Sequence, residues 1–188
     1  MSVSPVDRPH ADRIAVREAG VADAERLSLV SDATFLETFA HEIPGEAMLA
    51  HCREKHAPEY LSGLLGNGAR AWLAEIEGTP IGYALLIPSP ELDAVVEGDV
   101  ELKKIYVLSR FQGTGTAQRL MAEAVSAAQG NKRLLLGVKD DNHRAISFYK
   151  SQGFEIIGTR QFNVGGQLYD DFVFARDLTR TVIGETTT

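Results

Sequence analysis

VELKKIYVLSRFQGTGTAQRLMAEAVSAAQ, residues Val100 to Gln129, changes its period part-way along. From Glu101 to Val107 the residues alternate as a strand does, whereas Ala117, Leu120, Met121, Ala124 and Val125 recur at helical spacing. Between the two stands Gln112-Gly113-Thr114-Gly115-Thr116-Ala117, a run rich in small residues. Strand, small-residue loop and helix N-terminus, in that order, favour an anion. The first turn of a helix carries backbone N–H groups without intrahelical partners, and the helix dipole adds partial positive charge there. Residues with little side chain let a phosphate reach those donors, so a pyrophosphate is the natural guest. An ordinary glycine turn joining strand to helix is the plainer alternative.

Two common phosphate loops do not fit. No Gly-Lys-Ser/Thr follows the glycines, which removes a P-loop. The spacing is not G-x-G-x-x-G, and the preceding strand alternates with charges instead of reading as buried on both faces, which argues against a dinucleotide fold. The order Gln112-x-x-Gly115-x-Ala117, following the strand end Ile105-Tyr106-Val107, instead resembles the Q/R-x-x-G-x-G/A motif of the GNAT superfamily of N-acetyltransferases. Arg110-x-x-Gly113-x-Gly115 offers a second register, but the first keeps the family's distance from strand to loop. Downstream, Asn142-His143-Arg144-Ala145-Ile146-Ser147-Phe148-Tyr149-Lys150-Ser151-Gln152-Gly153-Phe154 resembles that family's other signature, N-x-x-A-x-x-F-Y-x-x-x-G-F. The resemblance runs from Ile14 to Leu178 in element order and is tight from Val100 to Phe154.

The resemblance implies acetyl-CoA as cosubstrate. Backbone groups of Ile105, Tyr106 and Val107 would hold the acetyl carbonyl and pantetheine arm, Gln112, Gly113, Thr114, Gly115, Thr116 and Ala117 would hold the diphosphate, and Asn142 would bond the arm. It puts Glu101 where several members carry a glutamate general base, and Tyr149 where a tyrosine protonates the departing thiolate. These roles answer a chemical need. An alkyl amine is largely protonated near neutral pH, and only its neutral form attacks a thioester. A carboxylate can take the proton directly or through water, and backbone donors can stabilise charge on the carbonyl oxygen. With no Ser-His-acid signature, direct transfer in a ternary complex is expected. The plainer readings stay open: Glu101 as the partner of Lys103, Tyr149 as a core aromatic, Asn142 as a helix N-cap.

Bulk properties narrow the partners. The chain has 188 residues, 44% of them hydrophobic, enough for one substantial core. Its formal charge of −7 argues against a nucleic-acid surface. Cys52 is the only cysteine, which leaves no internal disulfide and reads as a small apolar filler rather than a catalytic thiol. No 18-residue apolar run and no basic-then-apolar start occur, so no membrane association and a cytoplasmic location are expected.

Read in order, residues 1–12 form a flexible arm, residues 13–178 one domain and residues 179–188 a tail. Ile14 to Arg17 alternates as a first strand. A helix from Val21 to about Phe39 carries the stripe Ala24, Leu27, Leu29, Val30, Ala33 and Phe35. Pro44-Gly45-Glu46 opens a second helix through Ala47, Met48, Leu49 and Cys52, and Pro58 a third through Tyr60, Leu61, Leu64 and Leu65. Ala71–Ile76 and Ile81–Ile87 read as an antiparallel hairpin, and residues 88–98 as an exposed loop. Strict alternation puts Glu101, Lys103, Ile105 and Val107 on one side of the central strand and Leu102, Lys104, Tyr106 and Leu108 on the other, unless a bulge re-aims it. Arg133–Val138 is a buried strand, Asn142 starts a helix that Gly153 ends, and Phe154 to Ala175 is a hairpin turning at Gly165-Gly166. His41, His51 and His56 show no metal spacing and read as surface or helix-end residues, so no metal is assigned.

This order gives an α+β fold: a mixed, mostly antiparallel sheet with helices on both faces and, from the resemblance, a splayed central strand. In the family the first helical region lines the acceptor groove. Phe35 and Phe39 would pack a carbon chain there, and Glu37, Glu42 and Glu46 would attract a cationic amine, against the plainer reading of a solvated acidic face. LKKIYVLSRFQ and LLLGVKDDNHRAISFYKSQGF look closest to the bacterial polyamine acetyltransferase branch. The expected acceptor is therefore a polyamine or other small amine, with a peptide N-terminus or protein lysine as alternative. An acyl-CoA-binding sensor without turnover is the reading from another class. Exposed edges of the terminal hairpin leave a homodimer open.

Overall fold

The structure is a computed structural model that describes residues 11–164 and 167–179. Most of the expected arm, the Gly165-Gly166 turn and the tail from residue 180 lie outside the described residues. The strands are β1 (Ala15–Ala19), β2 (Arg70–Ile76), β3 (Thr79–Ile87), β4 (Asp99–Val107), β5 (Arg133–Lys139), β6 (Glu155–Val164) and β7 (Gln167–Asp177). The helices are α1 (Ala24–Phe39), α2 (Gly45–Lys55), α3 (Pro58–Gly66), α4 (Thr116–Ala127) and α5 (His143–Ser151). One seven-stranded sheet has the order β1-β2-β3-β4-β5-β7-β6. Its pairs are antiparallel except β4 with β5, which α4 joins as a crossover.

Period-two alternation sends the sheet's apolar residues to two cores. On one face Trp72, Ala84, Leu86, Leu102, Leu134 and Leu136 pack with Leu120, Met121 and Ala124 of α4 and Tyr149 of α5. On the other, Leu73, Tyr83, Leu85 and Ile87 pack with Leu27 and Val30 of α1 and Leu61 of α3. Burying one such leucine fully contributes about 2 kcal/mol. A third cluster, Phe35, Ile43 and Met48, joins α1 to α2. One stripe assignment fails: Leu29 is 63% exposed, because it falls on the outward side of α1, as the 47% exposed Leu49 does on α2.

Strand β4 departs from strict alternation. Leu85 pairs with Lys104 and Leu86 with Leu102, so Lys103 is an extra residue that no β3 residue opposes. The bulge re-phases the strand. Glu101, Lys104 and Tyr106 lie on the α1 side, opposite Ile87, Leu85 and Tyr83, while Leu102, Ile105 and Val107 turn toward α4. The expected grouping of Glu101 with Lys103, Ile105 and Val107 is thus corrected.

The two ends of β4 also differ. Asp99, Val100 and Glu101 pair with Arg133, Leu134 and Leu135, and the pairing stops there. Arg133 clamps the paired end, with Nη2 at 2.6 Å and Nε at 3.0 Å from the carboxylate of Asp99, whose side chain is fully buried. Beyond Glu101 the strands diverge, and the remainder of β5 pairs only with β7.

Candidate active site

Where β4 and β5 part, a cavity of about 1060 Å³ opens between the sheet, α1, α2, α4 and α5. One end is made of backbone. Leu108 N–H donates to Ile81 O at 2.9 Å, so Tyr106 also faces β3, and a Cβ on Gly82 would lie 2.8 Å from Tyr106 O. By alternation the N–H and C=O groups of Ile105 and Val107 turn to the open side. Tyr106, expected to offer its backbone there, contributes its ring on the other face, where it stacks on Tyr83 at 6.1 Å.

After Val107 a single 3-10 turn, Ser109–Phe111, leads to the glycines. Gly113 and Gly115 have φ of 81° and 83°, the left-handed region in which a side chain is strained, and Gly115 is the N-cap of α4. A Cβ on either would meet nothing within 4 Å, so the approach to the first turn of α4 is clear. Thr114 does not project into the cavity. Its Oγ1 donates to Phe111 O at 2.6 Å and lies 2.7 Å from Thr116 Oγ1, and Thr116 is buried. These two threonines shape the loop, while Gln112, Gly113 and Ala117 line the space. Gln112 Nε2 donates to Val107 O at 3.3 Å, and Gln112 Oε1 accepts from Arg144 at the start of α5. Asn142 is the N-cap of α5, accepting from Ala145 N at 3.1 Å, and lines the cavity as well. An open slot, free N–H groups at a helix start and glycines that keep side chains away fit the diphosphate and arm of acetyl-CoA.

The other end is made of side chains from distant segments. Phe35 and Phe39 line it as expected, their rings 4.8 Å apart, and His51 stacks on Phe35 at 4.4 Å. Glu37 also lines it, but its carboxylate accepts from Ser109 N at 2.8 Å and Ser109 Oγ at 3.1 Å, bracing the loop after β4. Glu42 lies 2.6 Å from Lys139. Glu101 is 3% exposed and accepts from Glu91 N at 2.6 Å; burial raises its carboxyl pKa against that bond and nearby Lys103. Lys103 pairs with Glu91 at 2.6 Å, not with Glu101. Tyr149 lines the cavity from α5 among Phe148, Phe154 and Phe174. Burial, and secondarily Tyr106, push its phenol well above the usual range, so it keeps its proton at neutral pH.

The sequence reading missed one constellation. His56 stands at a helix end, as the C-cap of α2, but is 1% exposed rather than at the surface. Its Nδ1 is 2.9 Å from Asp32 Oδ1, and its Nε2 is 2.6 Å from Lys104 Nζ. Cys52 approaches the same group, donor atoms of Asp32, Cys52 and His56 lying within 4.8 Å of one another. Its thiol is pushed up to about 11 by burial and its bond to Asp32, so it stays protonated. Burial, then Lys103, lowers Lys104 to about 7. Three segments far apart in the chain meet here, and no local spacing signals that. Arg160 was missed for the same reason: it lies across Gly137, where a Cβ would be 2.7 Å from its Nη2, and bonds Asp171 at 3.2 Å.

Comparison with known proteins gives a consistent picture. The model of the acetyltransferase (GNAT) family matches residues 35–154. An uncharacterized N-acetyltransferase of Mycobacterium tuberculosis is 34% identical over 161 residues, covering 84% of this chain and 99% of that one. The ribosomal-protein-alanine N-acetyltransferase of Brucella melitensis superposes with a TM-score of 0.68 at 27% identity, over 87% of this chain and 99% of its own. The PaiA N-acetyltransferase of Thermoplasma acidophilum, solved with coenzyme A, gives 0.71 at 22% identity over 87% and 98%. Among the described residues, no helix is long and apolar enough to cross a membrane.

Proposed function

Because the chain belongs to the GNAT acetyltransferase family and is an acetyl-CoA-dependent N-acetyltransferase, we propose that it acetylates a primary amine presented singly, such as a peptide N-terminus or a small monoamine. The observation that carries this reading is the parting of β4 from β5 beside the glycine-lined start of α4, with side chains of α1, α2 and β7 at the far end. Bound there, acetyl-CoA supplies an activated acetyl thioester.

The chain's own groups then have separate tasks. The N–H groups of the first α4 turn neutralise the diphosphate. Ile105 and Val107 donate to the arm and to charge developing on the acetyl oxygen, a term worth about 3 kcal/mol per well-placed donor. Glu101 accepts a hydrogen bond from the acceptor's neutral amino group and stands where the family places its base. Tyr149, protonated at neutral pH, donates to the departing sulfur.

Balance of charge supports a singly charged acceptor over the polyamine expected from sequence. Glu54 lies 2.7 Å from Lys55, Glu91 2.6 Å from Lys103 and Asp171 3.2 Å from Arg160, so these carboxylates are already matched by cations. A polycation needs several unmatched ones.

Calorimetry with acetyl-CoA followed by an acceptor panel tests this. Binding, with turnover of peptide N-termini or monoamines ahead of spermidine, is expected. Turnover confined to polyamines would overturn the acceptor assignment, and tight binding with no acceptor at all would favour the sensor.

A further inference from the structure

We propose that Lys104 is the group that takes the proton from the attacking amine, and that His56 and Asp32 form the path by which that proton leaves the buried site. The inference rests on the acetyltransferase reading and deepens it.

The geometry is a chain with one end in the cavity and the other at the surface. Lys104 lines the cavity on the same face of β4 as Glu101. Its Nζ lies 2.6 Å from Nε2 of His56, which caps the C-terminus of α2 and is 1% exposed. Nδ1 of His56 lies 2.9 Å from Asp32 on α1, whose side chain is 49% exposed. Asp32 accepts only when Nδ1 carries the imidazole proton, which leaves Nε2 as an acceptor toward Lys104. The lysine therefore spends one N–H on His56, and its lone pair is left for the cavity whenever the amine is neutral.

The surroundings favour the neutral amine. Besides Asp32 and His56, the groups facing Lys104 are Cys52, His51 and Lys55 of α2 and Lys103 of its own strand. Burial is the largest influence, Lys103 and Lys55 add like charge, and the amine is brought down to about 7. His56 is held neutral at neutral pH by burial and by Lys104. Cys52, protonated, offers no competing base. Glu101 is less free for the task, with one oxygen committed to Glu91 N–H and the carboxyl nearly without solvent.

The step balances. As the neutral acceptor nitrogen bonds to the acetyl carbon, its proton passes to Lys104 Nζ. The carbon–sulfur bond breaks, sulfur keeps the electron pair and takes the Tyr149 proton, and Tyr149 recovers one from water. Lys104 then releases its proton to His56 Nε2 while the Nδ1 proton moves to Asp32 and out to water, which restores the imidazole as its other tautomer. Turning the ring over so that its two nitrogens exchange places restores the starting arrangement, an N–H toward Asp32 and a lone pair toward Lys104. In this scheme Lys104 is catalytic, and His56 and Asp32 are positioning residues.

The test compares wild type with Lys104→Met, Lys104→Arg, His56→Gln, Asp32→Asn, Asp32→Glu and Glu101→Gln. For an amine that wild type acetylates, kcat/KM should rise with pH through a limb near 7. Lys104→Met and Lys104→Arg should lose that limb and about 100-fold in kcat, with acetyl-CoA affinity by calorimetry preserved and melting still a single cooperative transition. His56→Gln keeps a hydrogen-bond acceptor but no relay and should lose kcat rather than raise KM; Asp32→Glu should rescue what Asp32→Asn loses, and Glu101→Gln should retain the limb. A Lys104→Met enzyme with wild-type kcat and limb, or a limb that vanishes in Glu101→Gln, overturns the assignment. An independent readout needs no turnover: competitive labelling of wild type with trace acetic anhydride, resolved by mass spectrometry, should show Lys104 titrating near 7. A midpoint at the ordinary 10.5 overturns the proposal even if no acceptor is found, and stoichiometric enzymic acetylation of Lys104 itself would make it a substrate rather than a base. A wild type that labels as expected yet acetylates no amine counts against the acetyltransferase reading of the site, not against the relay geometry.

Discussion

The two faces of β4 are built on opposite terms. Toward α4 the strand shows Leu102, Ile105 and Val107 to an apolar core, the last two half-buried at the cavity, and what it offers a ligand on that side of the slot is backbone. Toward α1 it shows Glu101, Lys104 and Tyr106, each engaged or stripped of water by groups from other segments. On the proposed reading the first face holds the cosubstrate through peptide groups that every residue possesses, so it depends on conformation. The second depends on side-chain identity. One bulge residue, Lys103, sets both, because a one-residue change of phase exchanges the faces of everything beyond it.

The sharpest contrast between the faces is stability. Leu102→Ala empties a site that is 2% exposed in the α4 core and should cost about 3 kcal/mol in urea unfolding. A similar value for removing the Tyr106 ring's neighbour on the other face would not discriminate, but chemistry does. Tyr149→Phe should lower kcat about 100-fold, near 2.7 kcal/mol, while calorimetric affinity for acetyl-CoA holds. A fall in affinity matching the fall in kcat would return Tyr149 to a packing role.

Lys104→Met should act in the opposite sense to Leu102→Ala and raise stability by about 1 kcal/mol at pH 6, as apolar replacement of a poorly solvated charge does. The sign follows from linkage. Lys104 titrates near 7 folded against 10.5 unfolded, so the folded state binds fewer protons and wild type loses stability as pH falls from 10.5 through 7. The advantage of Met should therefore be largest below pH 7 and fade by pH 10.5, which melting curves across that range would show. A pH-independent difference would break the claim that this face is strained electrostatically.

A stability change of the same small size is expected on the backbone face. Gly115→Ala forces a side chain to φ of 83° and should cost about 1 kcal/mol, while placing a methyl group in the approach to α4 and weakening acetyl-CoA binding about 10-fold. Unchanged affinity would remove the diphosphate from that position.

Much of this division was legible beforehand. The switch from period two to period 3.6 between Val107 and Ala117 marked strand, loop and helix, and the glycines marked the helix start. Asn142 stood where a helix begins, and it caps α5. The alternation of β4 also warned that one side had to be polar or a bulge had to intervene, and both occurred. What could not be read was which residue bulged. Hydrogen-bond register is settled by β3, whose Leu85 and Leu86 skip Lys103.

His56 shows the same limit from another direction. In the sequence it is a histidine between Lys55 and Ala57 at a helix end, and nothing local distinguishes it from His41. In the fold it is buried, with Asp32 on one nitrogen and Lys104 on the other. Likewise the acids of the first helical region looked free to draw a cation, yet Glu37 braces Ser109 and Glu42 faces Lys139.

The sequence by itself determined the fold class, the position of the glycine-lined helix start and the family, because periodicity, glycine conformation and capping act over a few neighbouring residues. Tertiary structure alone decided the phase of β4, the point where it leaves β5, and the burial and like charge that lower the Lys104 pKa. Each of those is set by groups brought from far along the chain, and desolvation and charge pairing have no local signature.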